Sequence, residues 1–376
     1  MRVSPLAISL LAVAGCGTAD PESCLLRSAS SCDVRELDCQ EHAHAVIACI
    51  RGTDHPLPQI DVMTADEWAE ANPPAAPRTP AEQRLWDQHT RAYELLRFLP
   101  SNWEEPEPTP IAAPYLSYDW ATGTIVVVAD GTQPETELYS LLYMLALAAR
   151  DRESDLAGLM LTKTGTFDSK RALTTLYAGE AILFADMAKA RELDFGGLAE
   201  RLDYDYQRTE TRKQLADRTV PWSEAMALFQ YYYGANYVLV AFQRDGMSAV
   251  DALYEDSLAS TAFALAGSNL IEAAFSAIDV ALPPPPAGFR YLSQDSYGPA
   301  LLQLHRARET GESSQTAEQS LGGSWVGDRL LVAGSDTSDA VAVVWQIAGP
   351  GGEVAETIVR ATDTATQDAF AALFPG

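Results

Sequence analysis

Metal-assisted hydrolysis needs ligands at fixed spacing, most simply two histidines one helical turn apart with a glutamate beside the first. The five histidines of this chain, His42, His44, His55, His89 and His305, nowhere form H-E-x-x-H. No G-x-S-x-G elbow, P-loop or dinucleotide fingerprint is present either, so neither an activated serine nor a phosphate cradle can be located by pattern. The remaining nucleophile type is cysteine. All five cysteines fall within the first fifty residues, at Cys16, Cys24, Cys32, Cys39 and Cys49. His42 and His44 lie among them, but the Cys/His spacing matches no zinc pattern, and oxidised pairs are the expected state.

The first of these cysteines ends a recognisable leader. Arg2 supplies a positive start, and Leu6 to Ala14 is an apolar run too short to span a bilayer. Val13-Ala14-Gly15-Cys16 then places small residues before a cysteine, which resembles the lipobox of bacterial lipoproteins. The resemblance implies removal of residues 1–15 and acylation of Cys16, with the lipid as membrane anchor. It also implies a place on the extracytoplasmic side of the cell envelope, the outer membrane or cell surface ahead of the inner membrane. Gly17 after the lipid site carries no retention charge.

In an exported chain the other four cysteines are expected to pair. Three connectivities are possible. If Cys24 and Cys32 sit on a helix antiparallel to one over 34–50, nested bridges Cys24–Cys49 and Cys32–Cys39 fit best. The net charge of −26, from 26 basic and 52 acidic residues, repels phosphate backbones and anionic membrane. It excludes nucleic acid as a partner class and is read as a solubility device.

Elements follow from periodicity and punctuation. A strand is expected over 59–63 and a capped helix after Thr64. An amphipathic helix is expected over 81–98, a proline-broken loop over 100–114, and a hairpin of 115–120 with 124–129. Helices follow at 135–152, from an Asp168 cap to 191, and over 198–217, 222–243, 247–265 and 268–279. The run Pro283 to Pro286 is a stiff spacer. Beyond it the pattern reads as a helix at 297–310, a polar loop, strands at 328–334, 340–348 and 353–361, and a helix at 364–374. The fold class is therefore α+β and mainly helical, with an early hairpin and a small C-terminal sheet. Its expected division is a tether and disulfide segment over 16–52, a helical domain over 53–282 and an α+β subdomain over 287–376.

The helix at 135–152 carries a second resemblance. Residues 143–156 (YMLALAARDRESDL) follow the pattern H-E-L-x-H-A-L-Q-D-Q-x-x-D-L of a bacterial zincin-like metallopeptidase family, keeping Ala148, Asp151, Asp155 and Leu156. Residues 168–181 (DSKRALTTLYAGEA) are similar to its D-x-x-x-A-L-x-x-L-x-E-G-D-A. Weaker matches at Arg51-Gly52, 232–254, Ser260-Thr261 and Trp325 to Arg329 occur in the family's order. The resemblance covers residues 45–374 by pattern and implies a zincin-like core with its zinc motif lost. Tyr143 and Leu147 stand at the two zinc histidines, Met144 at the catalytic glutamate and Ala178 at the third ligand. Leucine and alanine offer no lone pair, and losing the glutamate removes the general base. No cofactor or metal is expected. The implied role is binding, regulatory or scaffold, toward an unidentified protein or peptide. The alternative is a hydrolase with rebuilt chemistry on Glu180, Asp151 or Asp155.

Overall fold

A computed structural model describes residues 32–73, 76–100, 103–104, 116–128, 134–190, 198–256, 260–266, 278 and 280–374. The chain begins with α1 (Leu37–Arg51), which ends where Gly52 enters the left-handed region at φ 69° and its N–H returns to the carbonyls of Ala48 and Cys49. β1 (Ile60–Met63) follows. Thr64 and Thr79 then open α2 (Ala65–Ala71) and α3 (Pro80–Leu95) with reciprocal capping boxes to Glu67 and Glu82. β2 (Leu116–Asp119) and β3 (Thr124–Val128) form the expected hairpin. β1 adds to β3 in parallel, making a three-stranded sheet of order β1-β3-β2.

The helical body comprises α4 (Pro134–Ser154), α5 (Leu156–Thr162), α6 (Phe167–Ala190), α7 (Leu198–Ala216), α8 (Trp222–Asp245), α9 (Met247–Asp256) and α10 (Ala262–Ala266). The single helix expected over 247–265 is thus two, with 257–259 outside the described residues. The helix expected over 268–279 lies almost wholly outside them too. α6 packs most extensively on α8 and then on α4. Gly179 and Gly234 make the first contact possible. A methyl on Gly179 would collide with the Gly234 backbone, and one on Gly234 with the Thr175 carbonyl.

After the prolines come β4 (Phe289–Asp295), α11 (Gly298–Thr310), α12 (Gln315–Ser324), β5 (Gly327–Ser335), β6 (Val341–Ala348), β7 (Val354–Ala361) and α13 (Thr364–Leu373). The four strands form an antiparallel sheet of order β4-β5-β6-β7. Alternation along them splits the buried residues between two cores. Leu330, Val332, Val343, Trp345 and Ile358 join the one apolar cluster that runs through the helical body. Leu331, Ala342, Val344 and Val359 face Phe370 of α13 and Phe374 just after it on the other side. The fold is α+β and mainly helical.

Further elements depart from the sequence expectation, among them α5, which is not expected. The polar stretch expected as a loop contains α12, because the Ser314 hydroxyl accepts from the Ala317 N–H and Glu318 is buried against Tyr233 and Arg212. β4 forms where no strand is expected, by pairing with β5. Asp168 does not cap α6. Thr166 and Ser169 satisfy that turn reciprocally, while the Asp168 carboxylate accepts from the Thr261 N–H and hydroxyl.

Candidate functional site

Cys16 and Cys24 lie outside the described residues. Cys32 is bonded to Cys39, Cα atoms 5.6 Å apart, stapling the start of α1 to the segment before it. Cys49 is also disulfide-bonded, to a partner outside the described residues. Cys32, the first described residue, belongs to no helix. His42 is left with a buried Nε2 that has no partner among the described residues. Burial lowers the pKa of His44, with Arg152 and His55 nearby adding to the shift.

The two helices carrying Tyr143, Met144, Leu147 and Ala178, α4 and α6, pack together. Tyr143 and Met144 are half-buried on α4, and Leu147 and Ala178 are buried. Tyr143 meets Tyr231 of α8 edge-on, ring centroids 6.2 Å apart. Burial, with Tyr231 and Tyr177 close by, holds the Tyr143 hydroxyl protonated far above its usual range. Tyr177 in turn contacts Trp120 at 5.3 Å, which contacts Tyr118 at 5.0 Å. The surroundings of these positions are aromatic. Among the described residues, no three His, Cys, Asp or Glu side chains are grouped to hold a metal ion.

One turn along, the same two helices share a buried ionic network. Glu180 of α6 is fully buried. It accepts from Arg51 of α1, from Arg150 Nε of α4 at 2.8 Å and from the Tyr254 hydroxyl of α9 at 2.7 Å. Arg51 also binds Glu153, and Arg150 reaches Asp251 at 2.8 Å. Each guanidinium also lies over a ring, Arg51 over Phe184 and Arg150 over Tyr254. Burial pushes the Glu180 carboxyl up, but the two guanidiniums outweigh it and hold it below the ordinary carboxylate range. A carboxylate so engaged is a poor proton acceptor at neutral pH.

Asp151 and Asp155 are also occupied. Asp151 accepts from the Tyr118 hydroxyl at 2.7 Å and from the Leu156 N–H at 2.9 Å. Asp155, at φ 47°, caps α5 through the Gly158 N–H. Trp325 is buried in the main core. Asp328, in β5, is buried as well. Its carboxylate accepts from Ser296 Oγ, the N–H groups of Tyr297 and Gly298, and Trp345 Nε1, anchoring the start of α11.

Asp168 stands on the other side of that turn. Gly298, at φ 79°, has no room for a Cβ because the Asp168 carboxylate fills the space. Burial raises Asp168 to about 7, against hydrogen bonds from Ser260 and Thr261, and the nearby Asp328 adds to the rise. Arg171, stacked on Phe167 and Trp222, is brought down to about 10 by its own burial. Sequence reading missed this cluster because its members come from α6, the residues just before α10, the start of α11 and β5. The only hints were the polar matches at Asp168, Ser260-Thr261 and Asp328.

No family model matches the sequence, and no curated protein or solved structure matches the chain. Among the described residues, no helix is long and apolar enough to cross a membrane.

Proposed function

We propose that the protein is an envelope lipoprotein, anchored through Cys16, whose zincin-like core has lost its catalytic centre and serves as a binding or scaffold domain. The observation that carries the reading is the fate of the motif positions. Tyr143, Met144 and Leu147 belong to the main apolar cluster, Tyr143 meeting Tyr231, Ala178 is buried, and the adjoining Glu180 is tied to Arg51, Arg150 and Tyr254. A hydrolase rebuilt on Glu180 would need a carboxylate free to take a proton, and this one is held ionised by two cations. Loss of zinc ligands together with conversion of the flanking carboxylate into a structural bridge favours a domain retained for its shape.

Two measurements test the two halves separately. Native mass spectrometry of the purified chain with added zinc is expected to show no bound metal; one tightly held zinc per chain would end the inactive-core reading. Cys16→Ala is expected to move the protein from the membrane to the soluble fraction, and unchanged membrane association would end the lipoprotein reading.

A further inference from the structure

We infer that the cleft between α3 and the turn joining β5 to β6 binds a peptide segment bearing arginine or lysine. The cleft encloses about 490 Å³ and opens to solvent. Past Arg91, Glu94 and Asp339 it continues into a hollow of about 630 Å³ that reaches Asp363, at the start of α13. That extent suits several residues of chain rather than one side chain. No residue of α4 or α6 lines it, so the proposal stands apart from the fate of the zinc positions.

Gln88, on its floor, points to the ligand chemistry. Only 3% of Gln88 is exposed, and its Nε2 donates to the Ser335 carbonyl at 3.3 Å. Its Oε1 is buried with no donor among the described residues. A buried acceptor left unmade is costly, and a ligand N–H would relieve it. Three carboxylates supply further acceptors. Asp87, Glu104 and Asp339 line the cleft, and among the described residues none of them pairs with a cation.

The cleft's own cations are already used. Arg84 donates to the carbonyls of Ser335, Asp336 and Ser338, and Arg91 pairs with Glu94. Three carboxylates without a cation among the described residues suit a charged group that only donates, and guanidinium and ammonium are the side chains that do. A sugar hydroxyl, which brings no charge to offset them, fits less well. Trp86 and Trp103 add ring faces. The chain itself demonstrates what Trp86 takes, since the Arg78 guanidinium lies 3.9 Å from its ring centroid. The net charge of −26 draws cations toward the surface in general, while the cleft supplies the specific contacts.

The test is fluorescence anisotropy of a labelled heptapeptide of alternating glycine and arginine, titrated with the full chain at roughly 50 mM salt. Trp86→Ala, Glu104→Gln and Asp339→Asn, all surface changes, are each expected to weaken binding about fivefold to tenfold. Asp245→Asn and Glu255→Gln, remote exposed carboxylates, are expected to leave it unchanged, and a glutamate-for-arginine peptide should not bind. No binding of the arginine peptide would overturn the proposal. So would equal losses at the remote positions, which would mean attraction to net charge alone, or binding of a chitin hexasaccharide in the peptide's place.

Discussion

Two buried carboxylates of this protein behave in opposite ways, and their neighbours explain why. Glu180 is held ionised because Arg51 and Arg150 both reach it. Replacing it by glutamine would leave two buried guanidiniums facing a neutral amide. Breaking such a pair from one side typically costs about 3–5 kcal/mol, so Glu180→Gln is expected to lower the urea midpoint strongly. Asp168 has only the hydroxyls and N–H of Ser260 and Thr261, with Asp328 across the turn, and burial raises it from 3.8 to about 7. The folded chain therefore binds a proton there that the unfolded chain has lost. The contribution of Asp168 is fully present below about pH 4 and falls as pH rises toward 7, by at most about 4 kcal/mol. Asp328, raised in the same direction by its burial, adds to that slope. Asp168→Asn keeps an acceptor for Thr261 and carries no charge. Its melting temperature is expected to exceed that of the parent at pH 8 and to depend less on pH between 4 and 7. A variant as pH-dependent as the parent would contradict the assignment.

At the scale of elements, the α6–α8 crossing depends on the absence of two side chains. Gly179 and Gly234 let the helices approach until a Cβ on either one would overlap backbone. Backbone cannot swing aside as a flexible side chain can. Gly179→Ala is therefore expected to destabilise the fold by about 1–3 kcal/mol, despite the better helix propensity of alanine. Chemical denaturation of the variant reads this directly, and a neutral or stabilising result would mean that the two helices are not so close. Most helices are legible from periodicity because their apolar stripes are continuous, as at Leu138, Leu141, Leu142 and Leu145 of α4. α12 is not legible, since its helix depends on Glu318 being buried against Arg212 and Tyr233 from other helices. Nor is the parallel pairing of β1 with β3, which joins residues some sixty positions apart.

At the scale of the whole molecule, one apolar cluster extends from Val34 and Ile47 of the disulfide-stapled segment through α4, α6 and α8 to Trp345 and Ile358 of the second sheet. The residues beyond the prolines therefore complete the helical body's core with one face of their sheet. Asp328, buried at the junction, fastens α11 to the sheet through hydrogen bonds to Ser296 and Trp345. Unfolding is accordingly expected as one cooperative transition, with far-UV and near-UV circular dichroism midpoints that coincide in urea. Two separated transitions would show that the C-terminal residues fold as an independent unit.

The sequence by itself determined the helical content, most strand positions, the acidic surface and the absence of H-E-x-x-H, because these depend on local periodicity and residue type. It also carried the apolar run that ends at Cys16, on which no part of the described tertiary structure bears. Only the tertiary structure decided what three of the helical carboxylates do. Glu180, Asp151 and Asp168 look alike in the sequence, as acids within helical stretches. Their states follow from what surrounds them: two guanidiniums for Glu180, a tyrosine hydroxyl and a backbone N–H for Asp151, and a threonine with an opposing aspartate for Asp168. A carboxylate's charge is set by desolvation and by partners within a few ångströms. For Glu180 and Asp168 those partners lie from about 30 to 160 residues away along the chain.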